Sequence, residues 1–241
     1  HGITTVVIDR RIEGWDVDTV CGDSFSGGYA LTRHLIDLGH TRIAMLSGPR
    51  DTSTSEDRIA GYRLALEESG IEPDGRLICC GGYSLPTGRE LAGQLIDEGL
   101  APTAIFAANN AIALGAIEAA GARGLRIPTD MALVCFDDYP YVASFFPFLT
   151  IIAQPAYDMG SEAARLLLDR LKSPGPLEPR HLVLPVQLVI RHSCGSTIGP
   201  NGNSQFNLPL KGLAGSRVAP VIPIAPGAAL AGAVRETSTS A

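Results

Sequence analysis

Polar residues recur at one kind of place in this sequence. Asp9 follows the apolar run 3–8, Asn109 and Asn110 follow 103–108, and Asp137 and Asp138 follow 131–136. Arg58 falls in the first turn of a helix predicted after the run 42–47. If those runs are parallel strands, their carboxyl ends converge on one crevice, where ligands of open α/β sheets bind. Carboxylates accept from hydroxyls, a guanidinium donates in a fork, and an amide does both. That set suits a neutral, hydroxyl-rich ligand. Tyr83 could add an aromatic wall against the apolar face of a ring. Each residue alone also fits an ordinary turn or cap.

Other chemistry finds little support. No G-x-G-x-x-G follows any predicted strand, so no dinucleotide loop is visible. Lys172 and Lys211 are the only lysines, and neither follows a glycine, which excludes a P-loop. Gly22-Asp23-Ser24-Phe25-Ser26 nearly fits a nucleophile elbow, but Ser26 stands where glycine is needed; Ser24 reads as a helix-start hydroxyl. The histidines (1, 34, 40, 181 and 192) are scattered, without metal-ligand spacing. The five cysteines (21, 79, 80, 135 and 194) are odd in number and lack C-x-x-C spacing. They read as buried free thiols of a reducing cytoplasm. No catalytic residue, metal or cofactor is assigned.

The elements that would position these groups follow from periodicity. Extended runs are predicted at 3–8, 18–21, 42–47, 77–80, 103–108, 131–136 and 181–190. Helices are predicted at 24–38, 55–69, 87–98, 111–123 and 156–172. The run 3–8 is β-branched and apolar, as for a strand buried on both faces. This alternation makes an α/β protein with mainly parallel sheets. The 241 residues carry a net charge of −6, which argues against a nucleic-acid footprint on this chain. Residues 195–241 are poor in charge and rich in Gly and Pro, and read as a disordered tail. Within them, 218–234 is uncharged, but Pro220, Pro223 and Pro226 interrupt it, which argues against a membrane span. The start, His1-Gly2-Ile3, shows no secretory signal.

A series of motifs then appears in order: Ile8-Asp9, Leu35-Ile36-Asp37-Leu38-Gly39-His40-Thr41-Arg42-Ile43-Ala44, Ser47-Gly48-Pro49, and Arg58-Ile59-Ala60-Gly61-Tyr62. Further on come Pro102-Thr103-Ala104-Ile105-Phe106, Gly124-Leu125-Arg126-Ile127-Pro128, Phe136-Asp137-Asp138, Leu149-Thr150-Ile151-Ile152, Gln154-Pro155, Met159-Gly160 and Arg191-His192-Ser193. Across about four-fifths of its length the chain resembles the effector-binding core of LacI/GalR-type transcription regulators.

The resemblance implies two Rossmann-like, periplasmic-binding-protein-like subdomains with the effector between them. The first, incomplete, would comprise 1–21 and 153–178; the second, 22–152 and 179–194. Crossings would fall near 21–22, 152–154 and 173–179. It implies effector contacts at Asp9, Arg58, Tyr83, Asn109, Asp137, Gln154 and Met159. Asn110 stands where the family usually has Asp. The implied effector is a carbohydrate or nucleoside-like compound. Operator DNA would be read only by a helix-turn-helix that this sequence does not contain. The resemblance further implies a cytoplasmic homodimer, with the aromatic loop 139–148 at its surface, acting as a switch and not as an enzyme. A periplasmic sugar-binding protein is the rival with the same fold. Missing neighbours would leave the run 3–8 with unpaired edges and the isolated chain weakened.

Overall fold

The computed structural model describes residues 3–139, 148–175 and 177–196, with three further strand segments at Ile198–Gly199, Gly202–Ser204 and Val221–Pro223. Strands are numbered in chain order. β1 (Val6–Ile8), β2 (Asp18–Gly22) and β8 (His181–Leu184) form a small parallel sheet in the order β1-β2-β8. A larger sheet has seven strands: β3 (Ile43–Ser47), β4 (Ile78–Cys80), β5 (Ala104–Ala107), β6 (Ala132–Phe136), β7 (Thr150–Ala153), β9 (Gln187–Val189) and β12 (Val221–Pro223). Its order is β12-β9-β7-β6-β5-β3-β4, with β3 through β7 parallel, β9 antiparallel to β7, and β12 antiparallel to β9. β10 (Ile198–Gly199) and β11 (Gly202–Ser204) pair with each other.

Continuous apolar runs make the central strands. Ile43–Leu46, Ala104–Ala107 and Ala132–Phe136 are all buried, as a parallel sheet covered on both faces requires. Four helices cover it: α1 (Ser24–Asp37), α2 (Ser53–Glu68), α3 (Leu85–Asp97) and α4 (Asn110–Ala122). α1 packs on α2, and α3 on α4. Right-handed crossovers put the two pairs on opposite faces, because the chain moves outward from β3 to β4 and then back through β5 to β6. The direction reverses between β3 and β5. Their carboxyl ends, Ser47–Gly48 and Ala108–Asn109, therefore flank the crevice that such a reversal opens.

The small sheet is covered by α5 (Ala156–Lys172). Its core is Val20, Met159, Ala163 and Leu166, with Val6, Leu182 and Leu184 against it. The run 3–8 departs from expectation here. Only Val6–Ile8 is strand, and Ile3 and Ile8 are 80% and 46% exposed. Among the described residues β1 pairs with β2 alone, and its Val6 packs against the α5 cluster.

The stretch 181–190 is two strands rather than one. β8 pairs in parallel with β2, whereas β9 pairs antiparallel with β7. The third passage between the sheets therefore falls at Pro185–Val186, not near 173–179, and β8 belongs with the smaller unit. The strand β7 is one that periodicity did not indicate. Of the segment 195–241, for which composition predicts no order, β10, β11 and β12 are strands. Most of the remainder, and most of the loop 139–148, lies outside the described residues.

Candidate functional site

Asp9 and Asp137 each leave the end of a strand in the left-handed region, with φ of +76° and +69°. Side chains other than glycine avoid that region at a cost of about 1–2 kcal/mol, and Asp is among the few that visit it. Backbone bonds fix both turns. The Asp9 amide donates to the Val20 carbonyl and the Asp137 amide to that of Ile152, each at 2.9 Å. The two carboxylates, which follow strands of different sheets, thereby come within reach of one side chain.

Gln154 joins them. Its Nε2 donates to Asp137 Oδ1 at 2.8 Å and to Asp9 Oδ1 at 3.4 Å. It follows β7, on the passage from the large sheet to α5. Its Oε1 is buried without a hydrogen-bond partner and lies against Gly22. A Cβ at Gly22 would overlap that oxygen, so a larger residue there would push the Gln154 side chain from its present place.

These three residues line a cavity of about 380 Å³ with Ile8, Asp138, Ala153, Ala156 and Met159. Burial pushes the Asp137 carboxyl up from its ordinary value; Arg58 and the Gln154 bond oppose that shift, and Asp9 adds to it. Asp138 is neutralised: Arg191 clamps both its oxygens, at 3.0 and 2.6 Å, and the Tyr139 amide donates to it. The Asn110 amide donates to the Asp138 carbonyl at 2.8 Å, which gives that residue a supporting role.

Of the seven residues expected at the site, Asp9, Asp137, Gln154 and Met159 line this cavity. The other three belong to the larger unit, Tyr83 and Asn109 after β4 and β5 and Arg58 on α2, each held by the protein. Arg58 is only 3% exposed; its Nη1 donates to the Ala108 carbonyl at 2.6 Å and its guanidinium lies 3.6 Å over the Phe136 ring. Asn109 caps α4, its Oδ1 accepting from the Ile112 amide at 2.8 Å. The Tyr83 ring lies flat on Gly48, and its hydroxyl meets Ser55 at 2.7 Å and Thr54 at 3.2 Å. Sequence reasoning missed the Asp138–Arg191 clamp, because the partners are far apart in the chain. It also missed a second link between the units, a two-bond pair from Arg11 to Asp57 on α2, each bond 2.9 Å.

No described helix is long and apolar enough to cross a membrane. Among the described residues, no cluster of His, Cys, Asp and Glu has the geometry to hold a metal.

Known proteins share this fold. The family described as a periplasmic binding protein-like domain matches residues 32–194. The HTH-type transcriptional regulator DegA of Bacillus subtilis (strain 168) is 41% identical over 177 residues, covering 73% of this chain and 52% of that protein. The solved complex of the transcriptional regulator CelR with cellobiose is 36% identical with a TM-score of 0.73, covering 78% of this chain and 58% of that one. A putative LacI-family regulator from Sanguibacter keddieii DSM 10542 is 31% identical with a TM-score of 0.73, covering 79% of this chain and 72% of that one. The chain spans about half the length of the curated relatives it matches. The family match, these identities and the shared fold make the chain a member of the LacI family of transcription regulators, corresponding to its periplasmic-binding-protein-like, effector-binding core.

Proposed function

We propose that this chain senses a carbohydrate or sugar-like small molecule in the cavity between its two units and passes that state to a DNA-reading domain of the whole protein. The observation that carries the reading is the Gln154 bridge. One amide holds Asp9 from the small unit and Asp137 from the large one, across a cavity with an apolar floor. A ligand that donates hydrogen bonds to both carboxylates must engage both units at once. It therefore favours one relative orientation over others, and differential affinity of that kind is all an effector needs to shift an equilibrium.

The cellobiose complex of CelR is consistent with such a ligand class. Homodimerisation in the cytoplasm belongs to the same reading, since a two-fold pair of DNA-reading heads is what a change of orientation would respace. The chemistry is that of a switch, binding without turnover, with Asp138 paired to Arg191 and Asp9 and Asp137 left to meet the ligand.

The test is isothermal titration of the chain with neutral and amino-substituted mono- and disaccharides. One of them is expected to give saturable heat, weakened by about tenfold in Asp9→Asn, which keeps the turn but loses a charged acceptor. No saturable heat from any of them, or full affinity in Asp9→Asn, would overturn the reading.

A further inference from the structure

We infer that the ligand of this cavity carries a protonated amine, which takes the place between Asp9 and Asp137 now held by the Gln154 amide. This rests on the reading of the cavity as an effector site and narrows its ligand class.

The lining residues include three carboxylates and no Arg, Lys or His. Their charges are not equally available. Asp138 is matched by Arg191, with three bonds to its carboxylate. Arg58 acts on Asp137 only through its field, because its hydrogen bond goes to the Ala108 carbonyl and its face to Phe136. Among the described residues, the ion pair of Asp9 is with Arg10, at 3.9 Å, with both side chains open to water. Such a contact is screened and weak.

Asp9 and Asp137 therefore bring two carboxylates to the cavity, and each carboxylate has about four acceptor positions. The donors that meet them are the two N–H groups of Gln154. The backbone amides of both residues are already committed to Val20 and Ile152. The wall is rich in acceptors and short of donors and of positive charge.

The complement of that wall is a group with several donors, no acceptor and a positive charge. A primary ammonium has three N–H groups and no acceptor, whereas a hydroxyl offers one donor and brings lone pairs. The Gln154 bridge also shows that the spacing fits. One nitrogen atom reaches both carboxylates, at 2.8 and 3.4 Å, so an ammonium nitrogen near that place would reach both, through shorter charge-assisted bonds. Ile8, Ala153, Ala156 and Met159 offer apolar contact to the carbon body behind it. A phosphorylated or carboxylated ligand would meet repulsion here.

The experiment is isothermal titration of the chain with three matched pairs that differ only in an amine or a hydroxyl at one carbon: D-glucosamine and D-glucose, D-galactosamine and D-galactose, D-mannosamine and D-mannose. Asp9→Asn and Asp137→Asn serve as variants, because Asn also tolerates positive φ and keeps the turns. At least one amine is expected to bind about tenfold or more tightly than its hydroxyl partner, and each variant to remove that preference. Equal or tighter binding of the hydroxyl partners, or a preference that survives both variants, would overturn the ammonium and leave the carbohydrate reading standing. No binding by any of the six, nor by the wider panel above, would overturn both.

Discussion

Asp137 is held against its own electrostatics. Burial raises its proton affinity, so the folded chain keeps that proton to a higher pH than the unfolded chain does. Between the ordinary carboxylate value and the raised one, the folded state binds more protons, and stability falls as pH rises through that window. The cost is fully present above it. Asp137→Asn should therefore be as stable as the parent at neutral pH, or more stable, with the difference fading as pH falls into the ordinary carboxylate range. Urea unfolding at several pH values checks this, and a clear loss of stability at neutral pH would make Asp137 a structural residue. Arg58 is the contrary case. It reads as a ligand donor from sequence, yet its stem and charge are buried against Phe136 and the Ala108 carbonyl. Arg58→Ala should cost about 2–4 kcal/mol of stability, through lost contact area and an unpaired buried carbonyl, before any effect on ligand. Unchanged urea unfolding would refute that.

The helix pairs that carry these residues meet through glycines. A Cβ on Gly61 of α2 would overlap the Phe25 carbonyl of α1, and one on Gly28 would sit 2.6 Å from the Arg58 carbonyl. Gly88 and Gly115 make the same close approach between α3 and α4. Backbone faces backbone at these crossings, so no side chain can yield. Gly61→Ala should force α1 and α2 apart at a cost of about 2–3 kcal/mol, despite the better helix propensity of Ala, and thermal unfolding would show it. A stabilised variant would mean that the crossing relaxes freely. Elements of this kind were legible in the sequence because parallel strands and their helices have strong, different periods; most boundaries agree within two residues. β7 was not legible, since Thr150–Ala153 is short and runs into Gln154-Pro155 without a turn signal. Nor was the break between β8 and β9, because an apolar run does not say which sheet its halves join. The site was legible as strand-end polar residues. Their division into cavity-facing and inward-tied groups depends on contacts such as Asp138–Arg191 that spacing does not encode.

At the scale of the molecule, stability is unevenly spread. The large unit buries Ile43, Met45, Leu46, Ile105, Phe106, Leu133 and Phe136 almost completely. The small unit has four buried apolar side chains at its centre, and most of the exposed large apolar ones, including Trp15 at 58%, Leu168 at 51% and Leu171 at 63%, belong to it. Ion pairing does much of the holding there. Asp18 is fully buried and takes bonds from Arg170 at 2.6 and 2.7 Å and from Arg180 at 3.0 Å, while Arg180 also reaches Asp169. Those bonds hold the Asp18 carboxyl far below its ordinary value. Its contribution is therefore fully present above the unfolded value and is lost as pH falls through the lower folded one. Local openings follow few buried contacts, so the small unit should open before the large sheet does. Hydrogen exchange read by mass spectrometry should show peptides of β1, β2 and α5 exchanging well before those of β5 and β6. Asp18→Asn leaves two arginines facing one neutral amide, at a cost of about 3 kcal/mol. That loss should speed exchange in β2, β8 and α5 while leaving β5 and β6 unchanged. Simultaneous exchange of both sets, in parent and variant alike, would show instead that the two units unfold as one. In that case the Gln154 and Arg11–Asp57 links would be tying the small unit to the large one tightly enough to make cleft opening as costly as global unfolding, which no effector could use as a switch.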